Sequence, residues 1–189
     1  MKLRHMILCV MAAMAAAASA QTADSADLSL EEHINTPVIE RKRHAAVVEK
    51  AQKLSASLRS KGLRTNTLRN DEVVLATLPC DALFAANATE PKYEALSRLR
   101  ALAEVAGLPE EYKVLVAVHS DDTGDDAYSD ALTEARANAV DDLLWQLADR
   151  KDTNVVIYGI GKDEPINAND TRDHRRANRR VEFYIVPLR

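Results

Sequence analysis

The sequence predicts an α/β sandwich: a mixed sheet packed on helices, in the order β-α-β-α-β-(α)-β, preceded by an N-terminal helix. Two observations carry this expectation. From residue 72 onward, runs that read as strands alternate with runs that read as helices, and that order buries a sheet under a helical layer. The runs "YKVLVAV" (112–118) and "TNVVIYG" (153–159) are apolar almost throughout, as strands in the middle of a sheet are.

Residues 1–20 read as a secretory leader, with Lys2, Arg4 and His5 ahead of a short apolar run and "ASA" at Ala18–Ala20. Removing it takes the formal net charge from −4 to −6, which argues against nucleic acid as a partner. Cys80 is then the remaining cysteine, so no internal disulfide forms and the core must hold the fold. Residues 21–68 read as a flexible start followed by a helix, and 69–189 as the folded domain. Thr36-Pro37 has the form of an N-cap and a first-turn proline, and Gly62 that of a stop, which predicts a helix over 37–61. Its apolar stripe, Val47, Ala51, Leu54 and Leu58, is narrow and suits docking better than a coiled coil. "EVVLATL" (72–78) reads as a strand ended by Pro79. Residues 91–107 read as a helix between Pro91 and Gly107, and 127–150 as a long helix. A short helix falls between Asn167 and Asn178, and "VEFYIVP" (181–187) is the last strand.

The long helix carries an anomaly. At 100° per residue, Leu132, Ala139, Val140, Leu143 and Leu147 fall within an arc of about 100°, and Arg136 falls inside it. Two readings stand: the arginine snorkels from the rim of the helix, or a buried guanidinium awaits an anion, since an unpaired buried charge is costly. The loop before this helix, "HSDDTGDD", holds four acids. Asp125 or Asp126 suits the N-cap. Asp121 stands too early for that, and is the best candidate for a carboxylate with a role outside the helix. An arginine pointing back toward the helix start can share a cleft with it. A ligand bearing both ammonium and carboxylate fits between the two.

These residues resemble the C-terminal domain of outer-membrane protein A, shared with the peptidoglycan-associated lipoprotein and the flagellar stator protein MotB. One block reads His119-Ser120-Asp121, Gly124, Tyr128-Ser129, Leu132-Thr133, Arg136-Ala137 and Ala139-Val140. A second reads Gly159, Gly161, Pro165, Asn169, Thr171, Arg175 and Asn178-Arg179-Arg180-Val181-Glu182. The similarity spans about residues 70–187. It implies a two-layer sandwich that binds the peptide stem of peptidoglycan without catalysis. Asp121 would take the ammonium of diaminopimelate and Arg136 its carboxylate, as a two-pronged donor. Tyr128, Ser129, Leu132 and Arg179 would flank the ligand. Val118, Ser129 and His174 depart from the family pattern, which makes a fold with a decayed wall site, acting as an interaction module, the alternative. The leader and the resemblance together imply export to the periplasm; the helix 37–61 lies outside the resemblance and is a candidate dock for outer-membrane or envelope proteins.

Other motifs carry less. "DHRRANRR" (173–180) lacks the interleaved aromatics of nucleic-acid binders. "DDTGDD" misplaces its glycine for a calcium loop. Asn87-Ala88-Thr89 is a glycosylation sequon by pattern only. His119 has no second histidine or nucleophile beside it and reads as a satisfied histidine at a strand end. No catalytic set, cofactor motif or metal cluster emerges.

Overall fold

The structure, a computed structural model, describes residues 30–148 and 155–188, with side chains from residue 42 onward. The expected leader lies outside the described residues. In chain order the elements are α1 (Leu30–Ser60), β1 (Arg64–Leu68), β2 (Val73–Pro79), α2 (Leu96–Ala106), β3 (Tyr112–His119), α3 (Asp126–Ala148), β4 (Val155–Gly161), α4 (Arg172–Asn178) and β5 (Arg180–Pro187). A single helical turn, Cys80–Leu83, follows β2, and a 3-10 turn, Tyr93–Ala95, leads into α2.

The sheet runs β1-β2-β5-β3-β4, antiparallel except for the β3–β4 pair. The expectation that 112–118 and 153–159 lie together at its centre is corrected: β5 is the centre, and β4 is an edge. Val155 and Ile157 of β4 pack on the main core where α3 crosses; on the other face Tyr158 is exposed, while Ile160 is buried in a smaller cluster with Val73, Leu115 and Ala117. Alternation hides the reverse case in β5, where Val181, Phe183 and Ile185 enter the core between the charged Arg180 and Glu182.

The main core lies between the sheet and α1, α2 and α3. It is built on Leu54 and Leu58, Leu99 and Leu102, Val140 and Leu144, meeting Val74, Val116 and Phe183 from the strands. Each such side chain contributes about 1.5–3 kcal/mol by leaving water. The stripe read on α1 is part of this core: Ala51, Leu54 and Leu58 are buried against the chain's own sheet. They are therefore not a free surface for a partner.

α1 also begins at Leu30, with Pro37 inside it, so residues 30–35 are helical where a flexible start was expected. The helix stops at Ser60, and Gly62 takes a φ of +82° to turn the chain. β1 was not anticipated, because "RTNTL" is polar. The expected domain boundary at 69 falls in the β1–β2 turn, where Arg69, Asn70 and Asp71 all have positive φ.

Where α3 crosses β4 the chains almost touch. A Cβ on Gly159 would stand 2.4 Å from the Glu134 amide nitrogen, so only glycine fits. Beside it Thr133 Oγ1 accepts from the Gly161 amide at 2.9 Å, and Gly161 O accepts from Ser120 at 2.7 Å. These bonds tie α3, β4 and the end of β3 into one unit, and the acidic loop starts from that unit.

Candidate functional site

The carboxyl end of β3, the amino end of β5 and the turn after β2 meet at one end of the sheet, and a cavity of about 260 Å³ opens there. Asp121 enters it from the loop after β3 and is 3% exposed. Its Oδ1 accepts from the Thr123 amide at 2.9 Å, and its Oδ2 pairs with Arg179 Nη1 at 2.5 Å. Burial opposes ionisation of this carboxyl. The Thr123 amide and the Arg179 guanidinium outweigh it and hold Asp121 below the ordinary carboxylate range. Asp125 is the helix cap, accepting from the Tyr128 amide at 2.7 Å, and Lys162 pins the loop through Asp126 at 2.7 Å.

Arg136 reaches the cavity from α3 and is 4% exposed, so it does not snorkel. Its Nε donates to the Ala88 carbonyl at 2.9 Å, and its guanidinium lies 4.9 Å from the centre of the Phe84 ring. Among the described residues no carboxylate stands within ion-pair distance of it. The buried row of α3 is Ser129, Thr133, Ala137, Val140 and Leu144, with Arg136 on its flank. Of the expected row only Val140 is fully buried; Leu132, Ala139, Leu143 and Leu147 lie to one side and are half-buried, because the helix turns small residues toward its close crossing with β4.

Tyr128, Leu132 and Arg179 line the cavity beside Asp121 and Arg136. Ser129 does not: it is wholly buried, and its Oγ has no partner. Val118 points into the main core, so its bulk does not reach the cavity. His174 stands at the start of α4, paired with Asp170 and away from the cavity wall. Two contributors went unread in the sequence. Asp81 meets Arg179 Nη2 at 3.5 Å and Arg176 Nε at 3.2 Å. Phe84 floors the Arg136 guanidinium. Neither is marked by spacing, since both depend on how the turn after β2 folds back. Asn178, next to Arg179 but outside the cavity lining, fixes the segment after β4: its Oδ1 accepts from Ile166 and Asn167, and its Nδ2 donates to Asn167 O and Asn169 Oδ1.

A family model described as the OmpA family matches residues 83–179, which contain Asp121, Arg136 and Arg179. The chain belongs to the OmpA family. Among its OmpA-like relatives, outer membrane porin F of Pseudomonas aeruginosa is 33% identical over 114 residues, covering 60% of this chain and 32% of the porin. The peptidoglycan-associated lipoprotein of Legionella pneumophila is 33% identical over 108 residues, covering 57% of this chain and 60% of that protein. The chain thus spans less than two thirds of the curated relatives named here. The fold of a MotB-like protein of Desulfovibrio vulgaris superposes with a TM-score of 0.65 at 20% identity, over 76% of this chain and 98% of that one. The cell wall anchor of the type VI secretion system of P. aeruginosa superposes at 0.60 with 25% identity, over 72% and 96%.

Proposed function

We propose that this OmpA-family chain is a non-catalytic, exported protein that anchors to the bacterial cell wall by binding the peptidoglycan stem at the free end of diaminopimelate. One observation carries the reading: Arg136 is buried in a cavity it shares with Asp121, and no carboxylate of the described protein meets it. A desolvated guanidinium in that state is a receptor for a carboxylate, held in place by Ala88 and Phe84 before the ligand arrives. Asp121 keeps its charge and supplies the ammonium contact on the facing wall, sharing its oxygens with Arg179. Relatives named for peptidoglycan association and for wall anchoring support the ligand class. The periplasm is where such a ligand is met.

Absence of catalysis is supported by what lines the cavity. Burial raises the Cys80 thiol to about 11, so it stays protonated and is no nucleophile. The alternative of a decayed wall site rested on three departures from the family pattern, and Val118, Ser129 and His174 all lie off the cavity wall.

The test is a titration with three soluble stem peptides in one buffer: diaminopimelate, its amidated form, and lysine. Lysine ends in ammonium alone and leaves Arg136 unpaired, which should weaken binding by about 2–4 kcal/mol, or roughly thirty- to a thousandfold. Equal affinities for the three would remove Arg136 from recognition. Co-sedimentation with sacculi, with no release of soluble fragments, is the matching result for the intact wall.

A further inference from the structure

Behind the cavity lies a second charged cluster that the proposed ligand contact does not use. His119 ends β3 and is 1% exposed, yet neither ring nitrogen makes a hydrogen bond. Nε2 stands 3.2 Å from Glu182 Oε2, a contact that becomes an ion pair when the ring is protonated, and among the described residues Nδ1 meets no partner. This corrects the expectation of a satisfied histidine. Glu164 Oε1, in the segment after β4, is likewise buried without a donor. Glu182 itself is well held: Arg180 Nε donates to Oε1 at 2.7 Å and the Tyr184 hydroxyl to Oε2 at 2.7 Å. Arg180 donates onward to the carbonyls of Glu164 and Asn178. Buried polar groups are nearly always paired, so orphans on two members of one cluster require a reason.

Their position supplies it. His119 stands two residues before Asp121 at the end of β3, and Arg180 directly follows Arg179 at the start of β5. Each half of the Asp121–Arg179 pair is thus mounted within two residues of a cluster member. The charged groups acting on the imidazole are Glu182 and Arg180 from β5 and Glu164 from the segment after β4; Tyr184 of β5 reaches it only through Glu182 Oε2, and the Cys80 thiol meets the His119 carbonyl oxygen, not the ring. A neutral ring leaves Arg180 to balance the two glutamates. A protonated ring adds a second cation and a donor beside an oxygen of Glu182 that Tyr184 already uses.

We propose that His119 is a positioning residue for the Asp121–Arg179 pair, and that binding in the cavity weakens when this one buried ring takes a proton. The inference rests on the reading of the cavity as the wall-binding site. The charged ring claims Glu182, so Arg180 must shift, and the next peptide bond carries that shift to Arg179. Asp121 is displaced from the other side through β3. Burial, aided by the charge of Arg180, lowers the affinity of the ring for its proton against the pull of Glu182, so the neutral form is the resting one. Asp121 is not the titrating group, because it is held below the ordinary range and stays ionised wherever histidine titrates.

The experiment measures affinity for the soluble diaminopimelate stem peptide between about pH 8 and pH 5, in wild type and His119→Gln. Nitrogen-15 spectra of the Arg179 side chain in the free protein are recorded over the same range. Wild-type affinity should fall about tenfold on acidification, as expected for one coupled proton, while His119→Gln falls less than about threefold. The Arg179 Nε resonance should follow the His119 titration in wild type and lie flat in the variant. Identical affinity profiles in the two proteins overturn the proposal. Should His119→Gln not fold, the wild-type spectra decide, and an Arg179 resonance that ignores His119 overturns it. If no peptide binds at any pH while Arg179 still tracks His119, the wall reading fails and the coupling stands.

Discussion

Arg136 and Arg180 are buried to nearly the same degree, 4% and 3% exposed, and stand on opposite sides of one sheet end. Arg180 has every part of its guanidinium committed: to the Glu182 carboxylate and to the Glu164 and Asn178 carbonyls. Arg136 has one donor on Ala88, its face on Phe84, and no carboxylate among the described residues. Burial alone therefore does not tell these two arginines apart. The separation lies in whether the protein itself supplies the counter-charge.

The largest effect that would break this comparison is on the Arg180 side. Glu182→Gln leaves Arg180 buried without its anion and should cost about 3–5 kcal/mol. Thermal melts should then fall by roughly 10 °C for a domain of this size. If Arg136→Ala destabilises more than Glu182→Gln, the assignment of roles is reversed.

The next effect is in acid. Burial works against the Glu182 charge, but His119 and Arg180 overcome it and bring the carboxyl to about 2, below its ordinary value. A lowered folded value means stability that is full above the ordinary carboxylate range. It is lost as pH falls from about 4.5 toward 2, on the order of 3 kcal/mol. Denaturant melts across this window should show the limb in wild type and a flatter curve in Glu182→Gln.

Arg136→Ala sharpens the other side. Binding to sacculi should drop at least tenfold, from a charge-assisted contact worth about 1.5–3 kcal/mol, while the fold loses only about 1 kcal/mol from the freed Ala88 carbonyl and Phe84 face. Arg136→Lys should recover little, since a point charge does not reproduce the fork. Smaller still is Asp121→Asn, which weakens binding by removing the ammonium contact and leaves Arg179 its second partner, Asp81. Its melting temperature should shift by only a few degrees, for about 1 kcal/mol. Asp122→Asn, at an exposed position, is the control, and equal weakening there would point to a diffuse acidic field.

The two sides were not equally legible in the sequence. Asp121 and Arg136 stood out because each broke a local rule: an acid too early to cap a helix, and a cation in an apolar row. The arc drawn around Arg136 was displaced even so, since Ser129 and Thr133 are polar residues that the close α3–β4 crossing buries. Glu182 and Arg180 broke no local rule. A charged residue at every second place in a strand reads as a wetted face, and only tertiary packing buries both. β1 was missed for the same reason. Its threonines and asparagine gain a strand's status from pairing with β2, and Thr65 from a 2.7 Å bond to Ser55 on α1.

The placement of the cavity has a mechanical consequence. Asp121 leaves the end of β3 and Arg179 enters the start of β5, so the proposed wall contact lies at one end of the sheet. α1 passes the opposite end, where Lys50 meets Glu111 just before β3 and the Leu188 carbonyl just after β5. Tension between a bound wall and the N-terminal end of α1 is therefore directed along the strands. The β2–β5 and β5–β3 ladders would be loaded in shear, with many backbone bonds resisting together rather than opening one at a time. A forced rupture should release the ligand before it unravels the sheet.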